Sequence, residues 1–218
     1  MIDKLVIFNK QYLSIGIIWL FHFSGILGII YSDPAWFIQA TPLNLLISFI
    51  LLLINTEWTL KTGVLVFLFF SVGMVSEILG VQYGLIFGNY TYGSALGFQF
   101  MGVPFMIGIN WCILVFTTGS IAQFFTKKIE FQLLISVVLM LFLDLVMEPV
   151  APQLDFWTFE TGLAGVQNYI GWTLVALPLQ LIYHKSNVKV VGPFPFHLYL
   201  LQLLFFTILL LKFNSPPL

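Results

Sequence analysis

Asp144 and Glu148 stand four residues apart in the apolar run LFLDLVMEP, a spacing that puts both carboxyl groups on one helix face about one turn apart. Two such groups can share a site and titrate as a unit. Burial, a like-charged neighbour and a helix C-terminus each disfavour a carboxylate, so the pair is expected to keep a proton near neutral pH and to be able to give it away. Pro149 follows at once and ends the helix. A third acid, Glu77, shares its helix face with Gly73, Gly80 and Gly84, small residues that let a neighbour approach, so it should face protein and not lipid. The plain alternative is that these acids tie helices together by hydrogen bonds. Ionisable groups inside a membrane segment are costly, and three at one depth favour a functional reading over that one.

Around the same depth lie Tyr90, Tyr92, Trp111, Trp157 and Trp172, with Asn110 and Asn168 as amide donors. Singly, each ring fits the aromatic belt of a membrane surface. Together, ring faces can steady a carbocation. Other chemistries lack their residues. His22, His184 and His197 stand alone, without the repeated spacing of a zinc or di-iron site, and the lone Cys112 lies in an apolar run, which removes disulfides, cysteine zinc sites and iron–sulfur clusters. Neither a metal nor a cofactor is expected. The last hydrophobic segment has no lysine in its interior on which a retinal Schiff base could form.

What positions these groups is a set of membrane helices. Apolar residues make up 60% of the 218 and charged ones 8%, with a mean hydropathy of +1.02, too little charge for a soluble domain. All eight cations are lysine, and without the bidentate arginine fork phosphate-rich ligands and nucleic acid are not expected partners. Runs long enough to cross about 30 Å of hydrocarbon fall near 12–31, 36–55, 62–80, 103–124, 131–149, 168–184 and 194–212. The reading is an all-α bundle of about seven transmembrane helices, one integral domain over 1–218, with Pro42 and Pro178 as candidate kinks. The first run reads as a retained span, not a cleaved signal. Lys4, Lys10, Lys61, Lys127, Lys128, Lys185 and Lys189 fall at one end of these helices and only Lys212 at the other. That asymmetry puts the N-terminus in the cytoplasm and the C-terminus outside a multi-pass cell membrane protein. Glu77, Asp144 and Glu148 then converge on the outer half, beneath two long connections near 81–102 and 150–167. The first connection, rich in aromatics and glycine, should lie in the interface or fold back over the bundle.

Four segments carry a resemblance: SEILGVQYGLIFGNYTYG from Ser76, GVPFMIGINW from Gly102, LDLVMEPVAPQLDFWTF from Leu143 and QNYIGW from Gln167. Together they resemble the carotenoid biosynthesis membrane-protein family, which includes the carotenoid 1,2-hydratases and bisanhydrobacterioruberin hydratase. The resemblance covers about 76 to 172. It places the family's motif acids on Glu77, Asp144 and Glu148 and its motif aromatics on Tyr90, Tyr92, Trp111, Trp157 and Trp172. It departs at AGVQNYIGW from Ala164, where a Tyr-Gly-Val-Pro-like segment would be expected.

The resemblance implies addition of water across the terminal double bond of an acyclic carotenoid end group, giving a tertiary alcohol. The partners it implies are a hydrophobic carotenoid drawn sideways from the bilayer, membrane lipid, and other enzymes of the same pathway. An end-group cyclase would share the protonation step. A proton-coupled transporter or a non-catalytic carotenoid-binding protein would use the same buried acids differently.

Overall fold

The computed structural model describes residues 2–214, with side chains from residue 10 onward, so Lys4 lies outside the described side chains. The chain is a helical bundle. α1 spans Ile2–Tyr31, α2 Pro34–Gln39, α3 Thr41–Ile54, α4 Leu60–Tyr83, α5 Phe105–Phe125, α6 Ile129–Met147, α7 Val166–Ser186 and α8 Phe194–Asn214. Among the described residues, six segments are long and apolar enough to cross a membrane, with α2 and α3 counted together as Pro34–Ile54. α7 has 21 residues but falls outside that set because Gln167, Asn168, Gln180, His184 and Lys185 dilute it. Asn168, Gln180 and His184 are buried in the bundle, while Gln167 and Lys185, near the two ends of the helix, are exposed. His184, at an interfacial position in the sequence, is in fact enclosed, with Ser136 Oγ 3.4 Å from its Nε2.

The second expected span is broken. Asp33 caps α2, accepting from the Trp36 N–H at 3.2 Å, and Pro34 sits where a helix start tolerates it. The chain then restarts at Thr41 with Pro42 in the first turn of α3. Pro42 therefore opens a helix; Pro178 sits inside α7.

α5 is the centre of the bundle, 72% buried where α6 is 33%. It packs against α3, α4, α6, α7 and α8. Large apolar side chains such as Leu20, Phe67, Leu134 and Leu174 point outward, each more than half exposed, as lipid contact requires. At the lysine-rich end, Thr56 pairs with Val190 and Lys61 Nζ donates to Ser186 O at 2.9 Å, so the start of α4 and the end of α7 meet.

At the other end the two long connections fold back over the bundle and join. β1 (Tyr90–Tyr92), from the connection after α4, pairs antiparallel with β4 (Trp157–Phe159), from the connection after α6, in the register Tyr90↔Phe159, Thr91↔Thr158, Tyr92↔Trp157. Because strand side chains alternate, Tyr90 and Tyr92 point the same way and so do their partners Phe159 and Trp157. Asp155 locks the pair from above: its Oδ2 accepts from the Ser94 N–H and hydroxyl, each at 2.8 Å, and these bonds hold its carboxyl below the usual range. β2 (Gln99–Phe100) and β3 (Val103–Pro104) close a second turn that delivers the chain into α5.

Candidate active site under the loop cap

Beneath the paired connections, the ten residues singled out above line one small cavity: Glu77, Asp144 and Glu148, the rings of Tyr90, Tyr92, Trp111, Trp157 and Trp172, and the amides of Asn110 and Asn168. The cavity measures about 30 Å³. A water needs roughly 10–15 Å³, so one or two fit among these polar groups.

Glu77 lies about two turns before the end of α4 and is 4% exposed. Its Oε2 accepts from the Tyr90 hydroxyl at 2.5 Å and the Tyr92 hydroxyl at 2.7 Å, and its Oε1 from the Trp111 Nε1–H at 3.0 Å. Burial first, and the Glu77 carboxyl second, hold both phenols well above their ordinary range, so they remain donors. The glycines beside Glu77 are what let these rings arrive. A Cβ at Gly73 would stand 2.6 Å from the Trp111 ring, and one at Gly80 2.7 Å from the Tyr90 oxygen. The close neighbour of this glycine face is thus the Trp111 ring of α5 together with a loop tyrosine.

That close approach gives a direct prediction. Gly73→Ala should displace the Trp111 indole, weaken its bond to Glu77 and destabilise the protein by about 1–3 kcal/mol, the usual cost of overpacking. Gly16, with open space around its Cβ position, is the control. Thermal unfolding in detergent checks this, and equal Tm shifts for Gly73→Ala and Gly16→Ala would remove the packing argument.

Asp144 and Glu148 sit at the end of α6, 1% and 7% exposed. Asn168 Nδ2, from the first turn of α7, donates to Asp144 Oδ2 at 2.8 Å and reaches Glu148 Oε1 at 3.5 Å. One amide therefore holds both acids. Trp157 Nε1 lies 3.3 Å from each oxygen of Glu148. The other oxygen of Asp144, Oδ1, is buried without an amide, indole or hydroxyl donor among the described residues. Trp172, one turn beyond Asn168, stacks on Trp111 with ring centres 4.5 Å apart and planes 21° from parallel. The result is a carboxyl pair on one wall, a triply bonded carboxyl on another, and aromatic faces between.

Four apolar residues of the cavity were not singled out from the sequence: Phe87, Ile107, Met147 and Phe159. Phe87 leans on both tryptophans, with ring centres 6.4 Å from Trp111 and 6.3 Å from Trp172. Phe159 was within reach of sequence reasoning, being two residues from Trp157 on the same strand face.

A larger, mostly apolar cavity of about 170 Å³ adjoins the first. Ile107, Asn110, Met147 and Trp157 line both, so these four residues form the partition between them. Asn110 has no side-chain hydrogen bond among the described residues. The larger cavity is walled by α1, α3 and α8, and reaches Trp36 and Leu43, which are 61% and 55% exposed on the outside of the bundle.

Residues 40–216 match the carotenoid biosynthesis protein family. The chain belongs to that family. The match takes in the carboxyl cavity and every helix except α1 and α2. Among curated proteins, bisanhydrobacterioruberin hydratase of Haloarcula japonica is 32% identical over 106 residues, which cover 45% of this chain and 36% of that protein. The likeness thus spans little more than a third of the relative. No solved structure matches the chain.

Proposed function

We propose that this membrane protein is a carotenoid hydratase that adds water across the terminal 1,2 double bond of an acyclic end group. The observation that carries the proposal is Asp144: its Oδ2 is held by the Asn168 amide, its Oδ1 is buried without an amide, indole or hydroxyl donor, and the carboxyl hydrogen-bonds to a second acid, Glu148. An alkene accepts only a weak hydrogen bond from a proton donor, far weaker than a carbonyl does, so an acid serving it is best placed with one oxygen not engaged by stronger donors.

In this reading the apolar end group enters from the bilayer past Trp36 and Leu43 and fills the larger cavity. Cavities of about 150 Å³ hold a benzene ring, so 170 Å³ accepts an isoprenoid unit. Its double bond comes to the partition formed by Asn110, Met147 and Trp157. The Asp144/Glu148 pair delivers a proton to the less substituted alkene carbon, and a tertiary cation forms on the other. The faces of Trp111, Trp157 and Trp172 and the carboxylate of Glu77 stabilise that cation. A water in the small cavity forms the C–O bond and gives its proton to a carboxylate, Glu77 or the one left by the acid. The sum is alkene plus water to tertiary alcohol, with no electron transferred.

The small cavity also favours hydration over cyclisation. A cyclase must keep water from the cation, whereas a polar cavity of about 30 Å³ at the acids gives water a place. The test is pigment mass analysis in cells that make lycopene or a monocyclic carotenoid, with and without this protein, in water enriched in heavy oxygen. Hydration predicts a new pigment heavier by one water per altered end, carrying solvent oxygen. A product of unchanged mass would replace hydration with cyclisation, and unaltered pigment beside well-expressed protein would withdraw the enzymatic reading.

A further inference from the structure

Water that captures a cation must offer it a lone pair and keep both hydrogens turned away. A carboxylate takes one of those hydrogens as the C–O bond forms. The other needs an acceptor that holds it without removing it. An amide carbonyl is such a group, since it accepts a hydrogen bond and is too weakly basic to take the proton. Phenol and indole donors do the reverse and occupy the lone pair that has to attack.

The polar hydrogens around the small cavity are largely committed to its acids. The hydroxyls of Tyr90 and Tyr92 and the Trp111 N–H are given to Glu77, and the Trp157 N–H and the Asn168 amide N–H to the Asp144/Glu148 pair. Of the four residues that part this cavity from the larger one, Ile107 and Met147 are apolar, and the indole N–H of Trp157 faces Glu148. Asn110 is the fourth. It is half-buried, its side chain bonds to no described residue, and it lines both spaces. Its position follows from α5. Trp111 turns to Glu77, and the residue before it, about 100° away around the helix, shares the face of Ile107 at the partition.

We infer that Asn110 positions the attacking water: its amide oxygen holds one hydrogen of a water in the small cavity, at the partition where the alkene arrives, so that the cation is captured and not returned to an alkene. This rests on the hydration reading. Protonation of the alkene carbon leaves a tertiary cation and a carboxylate. With the water held, its oxygen bonds to the cation, the carboxylate takes its proton, and the alcohol forms. Without it, the carboxylate takes a proton from a carbon beside the cation and an alkene is re-formed. Asn110 acts on the second step and not on the first.

Deuterium oxide separates the two steps. An acid exchanged with this solvent delivers deuterium, so a cation that is captured gives labelled alcohol, and one that returns leaves label in an alkene. The full-length protein in lipid nanodiscs is given an acyclic carotene, and mass analysis reads the ratio of alcohol to deuterated alkene. Asn110→Leu, close in size but without an acceptor, should lower that ratio by about tenfold or more, as expected when a reacting group loses its positioning contact. Asn110→Val is read by the same criterion where the leucine variant does not accumulate. A role in packing or in holding the substrate would lower alcohol and label together and leave the ratio unmoved. Alcohol from the unaltered protein, with a variant ratio within about threefold of it, would therefore overturn the inference alone. No alcohol from the unaltered protein would overturn the hydration reading, and this inference with it.

Discussion

Asp144→Asn is expected to lower formation of the hydrated pigment by about 100- to 10,000-fold while the protein stays folded, the range a positioned general acid contributes. The substitution is close to isosteric, and its amide oxygen can still accept from Asn168 Nδ2, which now bonds Asp144 Oδ2 at 2.8 Å. What it removes is the acidic proton of a carboxyl with one oxygen free of amide, indole and hydroxyl donors. Glu148→Gln should also fall, but by less if Asp144 is the donor, because Glu148 has both oxygens near Trp157 Nε1 and none so free. The measurement is pigment conversion per mole of folded protein, with Tm as the check on folding. Conversion by Asp144→Asn within about threefold of the parent would remove Asp144 as the proton donor, and the same result for Glu148→Gln would remove the pair.

The second large effect is expected at Glu77. Three donors converge on this carboxyl, and Gln can receive only part of them. Trp111 Nε1–H can only donate, so the amide oxygen of Glu77→Gln must face it, and the amide nitrogen then faces Tyr90 and Tyr92, whose hydroxyls can turn to accept. The cap can therefore stay in place while the charge is lost. With that charge go the electrostatic support of the cation and one acceptor for the proton of water. We expect conversion to fall about 100-fold or more, in the range seen when one preorganised electrostatic contact at a transition state is removed. Tyr92→Phe keeps the carboxyl and deletes one donor, and should fall less. Protection of the 84–104 segment from proteolysis reports on the cap. If Glu77→Gln leaves conversion intact with the cap protected, Glu77 is a structural anchor for the loop and nothing more.

Both arguments depend on how the folded chain combines features that are local in sequence. The spans were legible because hydropathy over about 20 residues answers directly to membrane thickness. The i, i+4 spacing of Asp144 and Glu148 fixed their common face before any neighbour was known, since helix geometry alone decides it. The Y-x-Y of Tyr90 and Tyr92 is the same kind of signal at strand period, and the glycines around Glu77 marked a face that something must approach. The ten candidate residues singled out from the sequence line one cavity in the structure.

What the sequence could not express is how those faces meet. Glu77 takes its bonds from residues 13, 15 and 34 positions away, and the pairing of β1 with β4 joins two connections separated by two whole helices. No periodicity records such contacts, because they depend on the relative placement of elements that are each locally satisfied. The break at Ala40 was half visible in Pro42; that it helps wall a cavity was not. The polar group of His22, Asn44, Ser48 and Gln202 in the larger cavity draws on helices at both ends of the chain. In the sequence these are four isolated polar residues in apolar runs, with nothing to separate them from ordinary helix contacts. Only the tertiary structure shows them around one space and without bonds to one another, because a polar group's cost in a membrane is set by what surrounds it and not by its neighbours along the chain.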